Sequence, residues 1–135
     1  MANEAILKVE TEPAINFKVA DGVGISKGAV LALSDPITAS SASANNIIAG
    51  IAAQEKIADD GVTTLAIYRR GIFIMNNSGG VTAGDTLAAA GSNQVQTATA
   101  TEVGTKTIGT ALETATTGND LLVELNPGVN MQTLT

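Results

Sequence analysis

The chain carries neither His nor Cys. Any chemistry would therefore have to come from carboxylates, hydroxyls, lysines and arginines. The commonest general base and metal ligand is missing, and thiol nucleophiles and Cys-held metals are excluded. The densest carboxylates are Asp59 and Asp60, with Glu55 close by. A calcium loop needs oxygen ligands at alternating positions and a closing Glu, and this segment has neither. A carboxylate pair for glycoside hydrolysis would need a sugar cleft, and such clefts want aromatic walls. With one Tyr, two Phe and no Trp, the chain cannot line one, so Asp59-Asp60-Gly61 reads as a solvated hairpin-type turn. Gly80-Val81-Thr82-Ala83-Gly84-Asp85-Thr86 has the look of a phosphate loop. It lacks the Gly-Lys-Ser/Thr end that holds phosphate and Mg²⁺, and a strand follows it, so it too reads as a turn. Arg69-Arg70 is the one paired positive charge. In a continuous strand the two would point to opposite faces. Either one is solvated while the other meets a carboxylate, or one reaches an acidic partner. No constellation supports catalysis. The sequence predicts a non-enzyme without metal or cofactor.

Composition narrows the partners. The chain has 135 residues, 7 Lys and Arg against 13 Asp and Glu, and a net charge of −6. It has no basic stripe to release counterions and almost no aromatic surface for bases to stack on, which argues against nucleic acid. No stretch approaches the roughly 20 apolar residues of a membrane span. The N-terminus lacks the pattern of a secretory signal, so synthesis in the cytoplasm and no membrane partner are expected. Apolar residues make up 44% of the chain but aromatic ones only 2%, so the core must be built from Ala, Val, Ile and Leu. Such a core makes burial against further copies a plausible supplement to stability.

The elements that would carry these residues are short strands between Gly-rich turns. Gly24-Ile25-Ser26-Lys27-Gly28-Ala29-Val30-Leu31-Ala32 matches Gly80-Val81-Thr82-Ala83-Gly84-Asp85-Thr86-Leu87-Ala88, 56 positions on. Ala49-Gly50-Ile51-Ala52 then pairs with Ile108-Gly109-Thr110-Ala111, and Leu65 to Gly71 with Leu122 to Gly128. Two similar strand-turn units, about 22–75 and 78–128, predict an all-β small barrel or sandwich with little helix. Within it, Ile15, Phe17 and Val19 are expected inward and Thr38 to Asn46 as a surface loop. Val62 to Met75 reads as one long β-favouring run bent at Gly71. Residues 1–14 lie outside both units and read either as an edge strand or frayed terminus, or as an arm that adds a strand to a partner's sheet. The single β domain is expected to span 15–128, followed by a tail over 129–135.

The segments Ala49-Gly50-Ile51-Ala52-Ala53 and Asp59 to Phe73, with the doubled Gly-x-Ser/Thr-x-Gly unit, resemble tailed-phage head decoration proteins of the lambda type and related capsid cement proteins. The resemblance implies a structural virion protein, made in the host cytoplasm and carried on the outer capsid surface. It implies a homotrimer bound at three-fold positions across neighbouring major capsid proteins, stabilising the expanded head. It also implies that residues 2–12 form a capsid-binding arm. Within it Ile6, Leu7 and Val9, apolar residues with no place in the repeat core, are the expected contacts together with Lys8 and Glu10, and Arg69 and Arg70 follow as candidate partner contacts. The alternative is a non-enzymatic, surface-displayed β-domain for carbohydrate or receptor binding, motivated by the Thr/Asn-rich loops. The absence of Trp counts against it.

Overall fold

The computed structural model describes residues 3–44, 46–99 and 104–128. It is an all-β protein. The first unit supplies β2 (Ile15–Lys18), β3 (Val30–Ser34), β4 (Thr38–Ser41), β5 (Ile48–Ala52) and β6 (Thr64–Tyr68). These close into a barrel in the order β2-β4-β3-β5-β6. Its pairs are antiparallel except β2–β4, which meet in parallel at Lys18 and Thr38. The second unit supplies β7 (Gly71–Asn76), β8 (Thr86–Gly91), β9 (Gln94–Thr97), β10 (Thr107–Ala111) and β11 (Asp120–Leu125). With the N-terminal β1 (Ile6–Val9) they form a six-stranded sheet, β1-β7-β11-β10-β8-β9. Just past β7, a parallel bridge joins Asn77 to Val95 of β9. The second unit thus runs the same circuit as the first. Among the described residues the helical content is one 3-10 turn, Gly104–Lys106.

The two units share bonds as well as sequence. Ile25 and Lys56 exchange a pair of backbone hydrogen bonds, and so do Val81 and Ala115. The amide of Gly28 donates to Ala52 and that of Ala52 to Ala29. Correspondingly, Gly84 donates to Ala111 and Ala111 to Asp85. Every partner is displaced by the 56 or 59 positions that separate the two sequence copies. Gly28 (φ 87°) and Gly84 (φ 93°) both sit in the left-handed region, which explains why this turn requires glycine. Inward positions recur likewise: Phe17 and Phe73, Ile25 and Val81, Leu31 and Leu87 are all buried.

Packing between the units explains where the sequence pattern misleads. β5 is buried along its whole length because it separates two cores. Ala49 and Ala52 face the first barrel's interior, while Ile48 and Ile51 join the larger core of the second unit. A strand covered on both faces loses its alternation. Tyr68 to Gly71 is not a bend within one strand: the run divides into β6 of the barrel and β7 of the six-stranded sheet. Arg69 and Arg70 occupy the crossing between them, so the opposite-faces argument does not apply to them. Thr38–Ser41, expected in a loop, is strand β4, paired along β3 from Leu31–Ser41 to Ser34–Thr38. Ile15 is exposed although Phe17 and Val19 are buried. The last repeat segment is shifted from its sequence match. Leu121, Val123 and Leu125 point inward, where a displacement of 57 from Leu65 and Ile67 would put Leu122 and Glu124. An odd displacement turns every side chain of a strand to the other face.

Candidate functional site

The expected arm lies at the edge of the six-stranded sheet. β1 pairs with β7 on one side only, Ile6 opposite Ile74, Leu7 opposite Phe73 and Val9 opposite Ile72. The amide of Ala5 donates to the carbonyl of Gly28 (2.9 Å), which anchors the start of the strand on the first barrel. Leu7, expected to have no place in the core, packs against the larger hydrophobic cluster. Ile6 (57% exposed) and Val9 (48%) face solvent, and Lys8 and Glu10 are exposed. Short edge strands carrying charge are how sheets manage a free row of N–H and C=O groups. This one presents that row together with apolar side chains.

The structure brings the arm and the arginine pair together. The Tyr68 hydroxyl donates to the Glu10 carboxylate (3.0 Å). Burial raises the Tyr68 phenol above its ordinary pKa, and the Glu10 bond and charge add to the effect. Arg69 donates from Nη1 to the carbonyl of Ala49 (3.0 Å), and Arg70 from Nη1 to the carbonyl of Arg69 (3.1 Å). Desolvation lowers the Arg69 pKa, the neighbouring Arg70 charge lowers it further, and Glu12 opposes both. Neither arginine forms an ion pair among the described residues; the pairs present there belong to Lys56. An open groove of about 550 Å³ runs beside β1, walled by Glu4, Leu7, Lys27, Glu55 and Tyr68. It is neither enclosed nor lined as a small-molecule pocket would be.

The carboxylate cluster does something the sequence did not suggest. Lys56 is buried, its side chain fully so. Its Nζ donates to Asp60 Oδ1 (2.9 Å), Asp21 Oδ1 (3.3 Å) and the carbonyls of Asp21 (2.9 Å) and Ile57 (3.1 Å). Asp60 also accepts from the amides of Val62 (2.9 Å) and Ile57 (3.3 Å). The trio ties the long β5–β6 loop to the turn that follows β2. In the second unit the position of Asp21 is taken by buried Asn77, whose Nδ2 donates to the carbonyls of Thr116 and Asn119 (both 2.9 Å). Among the described residues no group of three or more His, Cys, Asp or Glu side chains could hold a metal, and no helix is long and apolar enough to cross a membrane.

The trio predicts a pH dependence. Burial pulls the Lys56 pKa down, but the hydrogen bonds to Asp60 and Asp21 outweigh it and hold the group above its ordinary 10.5. The Lys56 hydrogen bond, helped by the Val62 amide, holds Asp60 below its ordinary 3.8. The raised lysine contributes stability that is complete below its unfolded pKa and lost as pH rises through the folded one. The depressed carboxylate contributes stability present above its unfolded pKa and lost as pH falls through the folded one. Thermal melts should therefore show a plateau across neutral pH, with an alkaline loss above about 10.5. Lys56→Met should reduce the alkaline loss, leaving the part set by the raised Tyr68 phenol; an unchanged alkaline limb in that variant would show that the trio does not contribute to it.

Comparison with known proteins places this architecture. No curated protein matches the chain. Among solved structures it superposes on the head fiber gp8.5 N base of bacteriophage phi29 with a TM-score of 0.56 and 15% identity, over 89% of this chain and 98% of that one. That likeness is one of fold. A family model described as phage cement protein matches residues 9–126, nearly the whole of both units. The chain belongs to the phage cement protein family.

Proposed function

We propose that this chain is a structural, non-enzymatic virion protein, made in the host cytoplasm and carried on the outer surface of the mature capsid. It binds there as a homotrimer at three-fold positions, across neighbouring major capsid proteins. The family supports the capsid role. The observation that carries the contact is β1: an edge strand paired on one side only, with Ile6 and Val9 exposed beside its free backbone row. Residues 1–14 act as the capsid-binding arm by strand addition, in which main-chain bonds supply affinity and alternate side chains supply specificity. Lys8 and Glu10 flank the exposed apolar pair, and Arg69 and Arg70 lie where the arm crosses Tyr68. Residues 15–128 form the folded domain together with β1, its edge strand. The tail, 129–135, lies outside the described residues. Three linked attachments per trimer let individually weak contacts sum to firm retention.

The experiment is co-sedimentation with expanded heads. An Ile6→Glu/Val9→Glu variant keeps the Leu7 packing but places charge along the free edge. It should bind heads about tenfold or more weakly, the equivalent of about 1.4 kcal/mol, while melting like the wild type. Retained binding in a folded variant would remove β1 from the contact. Light scattering tests the trimer independently.

A further inference from the structure

Among the described residues a hairpin of the second unit docks on the first barrel, and the repeat places a counterpart of each half of that contact elsewhere on the chain. Inside the chain, the β8–β9 hairpin tip, Ser92-Asn93, seats on the first barrel. Asn93 Nδ2 donates to the carbonyls of Asn3 (2.8 Å) and Gly28 (3.0 Å), and its Oδ1 accepts from the amide of Val30 (2.7 Å). Gly28 and Val30, which take these bonds, are buried, and Val30 packs with Ile48 and Ile51 against the larger core of the second unit.

The repeat identifies the counterparts. On the second unit the same surface is Gly84-Asp85-Thr86 with Thr107 and Thr110. Gly84 is exposed, Asp85, Thr86 and Thr110 are half-buried, and Thr107 is buried beneath them. The N-terminal segment adds to the cover of the first surface: a Cβ on Gly28 would strike Ala5, whereas one on Gly84 would meet nothing within 4 Å among the described residues. On the first unit the tip equivalent to Ser92-Asn93 is Pro36-Ile37 of the β3–β4 hairpin. Ile37 is 50% exposed and, with exposed Ile47 and half-buried Leu33, borders a shallow hollow. Ile37 is also held at φ 42°, a region that β-branched residues avoid.

We propose that the occupant of each half is a second copy of this chain: the Pro36-Ile37 tip of one copy seats on the Gly84-Asp85-Thr86 surface of the next. The contact continues the interface already formed between the units, so it is head-to-tail and closes into a ring if its rotation permits. A tip of Ile in place of Asn suits a contact between separate chains, where apolar burial drives association. A Thr-lined receiving face suits a surface that must stay soluble before assembly. The proposal rests on the self-association in the proposed function and deepens it by naming both surfaces.

Two variants test it. Ile37→Asp removes the apolar tip, and Asp tolerates a positive φ, so the fold is retained. Thr86→Arg blocks the receiving surface. Light scattering should give the wild type the mass of several chains and each variant the mass of one, with thermal melts confirming that both are folded. An equimolar mixture of the two should give a two-chain species and nothing larger, because one variant keeps its receiving surface and the other its tip. A folded variant that retains the wild-type mass, or a mixture that stays at one chain, overturns the interface. A wild type with the mass of one chain even at millimolar concentration overturns it as well. Head binding by the wild type is read separately, so loss of this interface and loss of the cement role are distinguishable.

Discussion

Replacing Gly109 by Ala is expected to cost about 3 kcal/mol, in the upper range for forcing an atom into a packed interior, and so to lower Tm by about 10 °C for a domain of this size. A Cβ at Gly109 would overlap the carbonyl oxygen of Glu124 and lie 3.1 Å from the amide of Asn126. Those obstacles are the backbone of β11 and of the residue just past it; β11 pairs with Gly109 at Leu125 and with Thr110 at Glu124. They cannot rotate aside as a side chain would. Moving them breaks the β10–β11 ladder and opens the larger core over Ile108 and Leu125. Gly50, the equivalent residue of the first barrel, meets the same obstacle in the carbonyl of Tyr68, with Ile67 Cγ2 at 2.9 Å, and Gly50→Ala should behave alike. Gly22 is the control. Its nearest neighbour for an added Cβ is Asp59 Oδ1 at 3.6 Å, so Gly22→Ala should leave the melt unchanged or raise it slightly through the unfolded chain. Calorimetry on the three variants decides the matter; a Gly109→Ala protein that melts with the wild type would refute the close strand approach.

Phe73→Ala should cost about 3–5 kcal/mol, the range for a fully buried aromatic. Phe73 is fully buried at the centre of the larger core. It stands opposite Leu7 on β1 and Val123 on β11, and meets Tyr68 edge-on with ring centroids 5.8 Å apart. In a chain with two Phe and no Trp, few other residues can fill the void, so little of the loss can be recovered by repacking. The effect should also be local. β1 rests on Phe73 through Leu7, so hydrogen exchange at Ile6–Val9 should accelerate more than in the first barrel. Tyr68 is the one tyrosine, so its near-ultraviolet circular dichroism reports on the same contact. Phe17→Ala removes the matching ring of the first barrel and should leave that signal and β1 protection largely intact. Equal loosening of β1 in both variants would show that Phe73 does not hold the arm.

The legible parts of this protein were the local ones. The doubled Gly-x-Ser/Thr-x-Gly turn was readable because a glycine at positive φ and the short-range bonds around it are set by a few adjacent residues. The second Gly-containing strand was readable because Gly50 and Gly109 each answer a carbonyl on the neighbouring strand. The all-β class followed from short strands set between Gly-rich turns. The candidate arm was visible as a segment outside the repeat, and the family resemblance pointed to the cement proteins on those same idioms. Lys56 was not legible. A lone lysine between Glu55 and Ile57 reads as surface, and only the return of Asp21 from a distant turn, beside Asp60 four residues on, makes its burial tolerable.

By itself the sequence determined the number of units, their turns, the scarcity of reactive groups and the acidic surface, because each depends on residue type or on neighbours along the chain. Tertiary structure alone decided that Tyr68 to Gly71 passes from one sheet to another, since β-propensity is equal on both sides of the crossing and only the packing of two cores against β5 separates them. It decided likewise which face of β11 points inward, which a displacement of one residue reverses. It also placed Leu7 in the core, Ile6 and Val9 on the edge, and Asn93 rather than Ile37 inside the molecule. Those outcomes depend on which surfaces of two similar units meet, and that is a property of the assembled fold.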